Sequence, residues 1–129
     1  MKIEHLAIWV NDLELMKGFY VKYFGMASNQ KYINPQKQFE SYFLSFNEGG
    51  ARIELMHRPD ILPNSGQNNL VHGFVHFALS TGSKDAVDAL TERLREDGYT
   101  IAGEPRTTGD GYYESVVLDP EGNYIEITT

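Results

Sequence analysis

Val117-Leu118-Asp119-Pro120-Glu121-Gly122-Asn123-Tyr124-Ile125-Glu126-Ile127 has the pattern of a tight turn running into a β-strand. Asp-Pro-Glu-Gly is a turn: Pro presets its own φ, Asp bonds forward to backbone, and Gly accepts a left-handed conformation. The strand that follows alternates, placing Ile125 and Ile127 on one face and Tyr124, Glu126 and Thr128 on the other. A carboxylate is a poor strand former and costly to bury unpaired. Glu126 therefore marks a face turned away from the aliphatic core.

The same pattern stands 72 residues earlier, where Ile53-Glu54-Leu55 follows the turn Asn47-Glu48-Gly49-Gly50. Around each copy the elements fall in the same order. In the first half Ile3 to Val10 is an expected strand, with Ile3, His5, Ala7 and Trp9 on one face. Asn11 or Asp12 caps a helix carrying Met16, Phe19, Tyr20 and Tyr23, and Gly25 ends it. Extended segments are expected at Ser28 to Ile33, Phe39 to Phe46 and Ala51 to His57. In the second half the strand is Phe74 to Ser80. Ser83 caps a helix with Val87, Leu90 and Leu94 on one stripe, and Gly98 stops it. Tyr99 to Ala102, Tyr113 to Leu118 and Asn123 to Thr128 follow as strands. The spacing thus predicts an α+β fold of two β-α-β-β-β modules, about 1–59 and 72–129, joined by a linker at 60–71 into one domain. Each module has a sheet face that only a neighbour can cover.

Composition narrows the function classes. The chain has 129 residues, a formal charge of −7 and 41% apolar residues, and no cysteine. Disulfides, thiolate zinc sites and thiol nucleophiles are excluded, leaving His and carboxylates as metal ligands. The negative charge argues against nucleic acid and anionic membranes as partners. No segment approaches the ~20 apolar residues of a membrane span, and no signal peptide is expected, so the location expected is cytoplasmic.

His5 and His76 occupy equivalent first strands, offset by 71 residues. Taken singly, a strand His is usually structural and a strand Glu usually faces solvent. At matched repeat positions, His5, Glu54, His76 and Glu126 form a 2-His-2-carboxylate set for one divalent ion. Zn, Ni or Co is favoured, with Mn or Fe as further candidates. Octahedral binding by all four leaves two positions for water or for adjacent substrate oxygens. His57 and His72 have no repeat partners and are read as peripheral.

The paired modules, the segment Glu4-His5-Leu6-Ala7-Ile8-Trp9-Val10-Asn11-Asp12-Leu13, the pairs Phe19-Tyr20 and Phe24-Gly25-Met26, and the closing stretch quoted first resemble the vicinal oxygen chelate superfamily. This group includes glyoxalase I, bleomycin resistance proteins and extradiol dioxygenases. The resemblance implies a curled, cupped mixed sheet with helices outside and a metal in the cup. The four-ligand set is most similar to bacterial glyoxalase I, a lactoylglutathione lyase. It implies action on a 2-oxoaldehyde–thiol hemithioacetal, with Glu126 as the carboxylate that moves a proton from C1 to C2. A metal-dependent extradiol-type dioxygenase, for which Glu54 is surplus, and a non-catalytic drug-binding protein are the alternatives. Arg52 and Arg106 are candidate cations for substrate carboxylates; Arg106 lies in an expected loop, Pro105 to Gly111. Trp9 and Tyr113, with Tyr112 and Tyr124, are candidate pocket walls. A homodimer is expected, because a module pair leaves sheet edges to cover. The sequence leaves open whether the site forms within one chain or between two.

Overall fold

Residues 1–63 and 72–129 are described by the computed structural model, so 64–71 of the expected linker lie outside the described residues. The chain divides into two units, Met1–Pro63 and Asn64–Thr129. The fold is α+β, and each unit is an open, curled mixed sheet with one helix.

In the first unit, β1 (His5–Trp9) leads into α1 (Leu13–Phe24), then β2 (Ala27–Ser28), β3 (Tyr32–Asn34), β4 (Phe39–Ser45) and β5 (Arg52–His57). Asp12 caps α1 by accepting the Leu15 amide at 2.9 Å. Gly25 closes the helix at φ 64°, a left-handed conformation that suits glycine. The helix buries Met16, Phe19, Tyr20 and Tyr23 against Leu44, Ile53 and Leu55 of the sheet. Strand order is β1-β5-β4-β2, with β3 also pairing β4. The extended segment expected from Ser28 to Ile33 is thus two short strands, both antiparallel to β4. β1 runs parallel to β5, in a register that sets His5 beside Arg52 and Ala7 beside Glu54.

The second unit repeats the plan. β6 (His76–Ser80), α2 (Lys84–Glu96), β7 (Ile101–Thr107), β8 (Tyr113–Leu118) and β9 (Tyr124–Thr128) form a sheet of order β6-β9-β8-β7. β6 is parallel to β9, and Ala78 stands beside Glu126 as Ala7 does beside Glu54. Ser83 caps α2 through the Ala86 amide at 3.2 Å. The buried stripe of α2 is Val87, Thr91 and Leu94, with the expected Leu90 only half-buried. Thr91 is tolerated there because its hydroxyl donates to the Val87 carbonyl at 2.7 Å and meets the Ser115 hydroxyl at 2.6 Å. Before β9, the buried Asp119 carboxylate accepts from the Glu121 and Asn123 amides at 3.0 and 2.9 Å and from the Asn123 side chain at 2.8 Å. Gly122 takes φ 83°. This turn fixes the phase of the strand that carries Glu126.

The expected strand Tyr99 to Ala102 is corrected to Ile101–Thr107. Proline removes a ladder donor and normally argues against a strand interior, but β7 is an edge strand with register shifts before Arg106, where Pro105 is accommodated. Among the described residues, no helix is long and apolar enough to cross a membrane.

Candidate metal centre

In the first unit, pleating puts His5, Ala7, Trp9, Arg52, Glu54 and Met56 on the face opposite α1. His5 Nε2 stands 3.7 Å from Glu54 Oε2, with the Glu54 side chain 15% exposed. The other ring nitrogen, Nδ1, is hydrogen-bonded to Glu4 Oε2. Glu4 Oε1 accepts from Arg52 Nη2, and the Glu4 carbonyl accepts from the Arg52 amide at 3.0 Å. The bond to His5, and then Arg52, hold the Glu4 carboxyl below its ordinary value. The Arg52 guanidinium lies 4.1 Å from the centre of the Phe43 ring, and that ring meets His5 edge-on at 5.4 Å.

In the second unit, His76 Nε2 stands 3.4 Å from Glu126 Oε2, and the Glu126 side chain is 18% exposed. Beside this pair is an open recess of about 550 Å³, lined by Glu114, Glu126, Thr128, Ala78 and the Thr108–Asp110–Tyr112 turn. Burial, and then the Glu126 carboxylate, push the Glu114 carboxyl up from its ordinary value; Arg106 and Asp110 act more weakly and in opposite senses. Sequence reasoning missed Glu114. The signal was strand phase: Glu114 is two residues from Val116, the register partner of Glu126, and so shares its face.

The donor sets fit a divalent ion. Metal–nitrogen and metal–oxygen bonds of about 2.1 Å put neighbouring donors about 3.0 Å apart at right angles and about 3.4 Å apart in a tetrahedron. The pairs stand at 3.4 and 3.7 Å, about 0.4 and 0.7 Å wider than the right-angle spacing of a six-coordinate ion, so binding would draw each pair together. Neither unit, among the described residues, gathers three His, Asp or Glu side chains around one point. Each unit therefore brings together two of the four expected ligands.

The other expected residues divide. Trp9 remains on the Glu54 face, 42% exposed and edge-on to Phe39 at 6.2 Å. Arg52 shares that face but is engaged by Glu4. Arg106 is corrected from a loop charge to a residue of β7, with Nη2 3.6 Å from Glu114 Oε1. Tyr113 is corrected as a pocket wall. Its phase is that of the buried Ser115 and Val117, and its hydroxyl donates to Asp88 of α2 at 2.7 Å, on the helix side of the sheet. Tyr112 lines the recess, and Tyr124 shares the face of Glu126. His57 Nδ1–H donates to the Val10 carbonyl at 2.9 Å, tying the ends of β1 and β5. His72 is exposed, ahead of β6.

A chain of two units, each a β-α element followed by antiparallel strands with one His–Glu pair on its sheet, is the class these features define. The chain belongs to the Glyoxalase/Bleomycin resistance protein/Dioxygenase superfamily, whose model matches residues 2–127. It is 28% identical to the uncharacterized protein PA2024 of Pseudomonas aeruginosa over 98% of this chain and 86% of that one. Maize glyoxalase I superposes with a TM-score of 0.81 at 25% identity, over 98% of this chain and 44% of the maize chain, so this chain spans less than half of that protein. A possible glyoxalase from Bacillus cereus superposes at 0.72 with 26% identity, covering 100% of this chain and 99% of that one.

Proposed function

We propose that the protein is a metal-dependent lyase or isomerase of glyoxalase I type, in which His5, Glu54, His76 and Glu126 are the protein ligands of one divalent ion. The observation that carries this reading is the repetition of one motif. In each unit a histidine two residues before an alanine faces a half-buried glutamate on the parallel neighbour strand, with the donors 3.7 and 3.4 Å apart. A three-ligand iron site would leave Glu54 without a role, so the duplicated pair favours the four-ligand chemistry over ring cleavage.

When bound, the ion supplies Lewis acidity to two neighbouring substrate oxygens. The chain's own residues do the rest. Glu126 lines the recess and has the low exposure of a base shielded from water. Its carboxylate takes the proton from C1 of a hemithioacetal and returns it to C2 while the C1 hydroxyl proton passes to the C2 oxygen, so that C1 becomes the thioester carbonyl and the ketone carbon C2 becomes an alcohol with no external oxidant. The recess is of a size for a small substrate. Its lining includes Asp110, Glu114 and Glu126, while Arg52 and Arg106 already face Glu4 and Glu114. A thiol bearing several carboxylates is repelled by such a surface, so the preferred co-substrate thiol is neutral or cationic.

The test is turnover of methylglyoxal hemithioacetals of glutathione, 2-mercaptoethanol and cysteamine, with Zn, Ni, Co and Mn supplied in turn. Turnover is expected, with kcat/KM lowest for glutathione. Absence of turnover for every pair removes the lyase reading. Oxygen uptake with a catechol and iron replaces it by the dioxygenase reading.

A further inference from the structure

Glu4 and His5 are consecutive residues, and on a regular strand consecutive side chains point to opposite faces. Glu4 directly precedes the first residue of β1, and its carboxylate folds back onto the imidazole of its neighbour. We infer that Glu4 is a positioning residue for His5, fixing the ring as the Nδ1–H tautomer so that Nε2 is presented as a lone-pair donor beside Glu54. This rests on the metal reading proposed above and deepens it.

The chemistry follows from the two ring nitrogens. A neutral imidazole carries one proton, and only the other nitrogen can bind a metal. A carboxylate has only acceptor oxygens, so the bond between Glu4 Oε2 and Nδ1 puts the proton on Nδ1. Glu4 is itself held at two points by one residue: Arg52 donates to its carboxylate from the guanidinium and to its carbonyl from the backbone. Arg52 in turn lies over Phe43, whose ring meets His5 edge-on. Glu4, Arg52, Phe43 and His5 thus form a closed circuit that determines where the ring points.

The circuit belongs to the first unit and is not repeated in the second. At the offset that relates His5 to His76, Glu4 is matched by Val75; at the offset of Glu54 to Glu126, Arg52 is matched by Tyr124. Val116, the register partner of Glu126, stands where Phe43 pairs with Glu54. The valine side chain offers no acceptor, so at that position His76 has no counterpart to Glu4 among the described residues.

The experiment has two arms, on the full chain. The first is Zn²⁺ affinity by competition with a chromophoric chelator, for wild type, Glu4→Ala, Glu4→Gln and Arg52→Met. The second is the tautomer of each histidine in metal-free protein, from long-range nitrogen–proton NMR at about pH 8. Expected are an Nδ1–H tautomer for His5 in the wild type and its loss in Glu4→Ala. Zinc affinity should fall roughly 10- to 100-fold in that variant. Glu4→Gln and Arg52→Met should fall between, and the His76 signals should not move, which excludes a general loss of fold. Wild-type affinity and an unchanged His5 tautomer in Glu4→Ala overturn the inference, as does an Nε2–H tautomer in the wild type. If the wild-type chain takes up no zinc, the functional reading fails, and the tautomer arm alone decides the role of Glu4.

Discussion

His76 Nε2 and Glu126 Oε2 are 3.4 Å apart, the separation of two neighbouring donors on one ion and too long for a hydrogen bond of ordinary strength. Both side chains lie on the face of the sheet turned from the helix, and Glu114 stands beside Glu126 there.

Metal removal gives the first prediction. An ion present at a hundred times its dissociation constant stabilises the folded state by about 2.7 kcal/mol, or roughly 10 °C in Tm for a chain of this size. Adding EDTA to the purified protein should therefore lower Tm by that order, and zinc should restore it. His76→Ala and Glu126→Gln should show neither shift, and elemental analysis should find them depleted. Equal metal content in wild type and both variants would defeat the four-ligand reading.

Much of this site was legible in the sequence because its signals are local. The alternation around Glu54 and Glu126 needs only a period of two, and the caps Asp12 and Ser83 need only a polar residue before an apolar stripe. The residues misread are those whose placement depends on a neighbouring strand. Arg106 looked like a loop charge because Pro105 argues against a strand, yet an edge strand has a side with no ladder to break. Glu114 was missed and Tyr113 put on the wrong face because Val116-Val117-Leu118 is apolar on both faces, so periodicity alone leaves its phase ambiguous. Glu4 was hidden by the opposite fault: ordinary alternation turns it away from His5, yet its carboxylate folds back onto the imidazole.

Whether the two His–Glu pairs on one ion come from one copy or two is decided by mixing variants. His5→Ala and His76→Ala are each expected to bind little metal alone. If sites are shared across a two-fold dimer, a mixed dimer carries one site with both histidines intact. Co-refolding equal amounts should then restore about a quarter of the wild-type sites. If each chain supplies its own four ligands, mixing restores none. Zinc content after gel filtration reads the difference directly.

The buried Thr91–Ser115 contact predicts an asymmetry between two conservative substitutions. The Thr91 hydroxyl has one proton, and it goes to the Val87 carbonyl; the Ser115 hydroxyl must therefore be the donor to Thr91. Thr91→Val removes the acceptor and strands a buried donor at a residue with no exposure, at a cost of about 1–3 kcal/mol. Ser115→Ala leaves Thr91 with its bond to Val87 and should cost less. The double variant should be less destabilised than the sum of the two. Urea unfolding with unchanged m-values is the measurement, and a Ser115→Ala loss larger than that of Thr91→Val contradicts the donor assignment.

Glu14 gives the first unit a small pH-dependent contribution to stability. Hydrogen bonds from Lys17 and Lys31, at 2.6 and 2.8 Å, and from the Tyr42 hydroxyl at 2.9 Å hold its carboxyl down to about 2 from an ordinary 4.5. A carboxyl depressed on folding binds fewer protons folded than unfolded, so its contribution is complete above about 4.5 and is lost as pH falls towards 2. The side chain is 54% exposed, so solvent and salt screen the effect and the contribution is small. Glu14→Gln should be less stable than wild type at pH 7 and should lose less stability between pH 5 and pH 2, the two curves converging at the acid end. Adding salt should narrow the gap at pH 7. Parallel curves for wild type and variant across that window would show that Glu14 carries no charge-dependent link between α1 and β4.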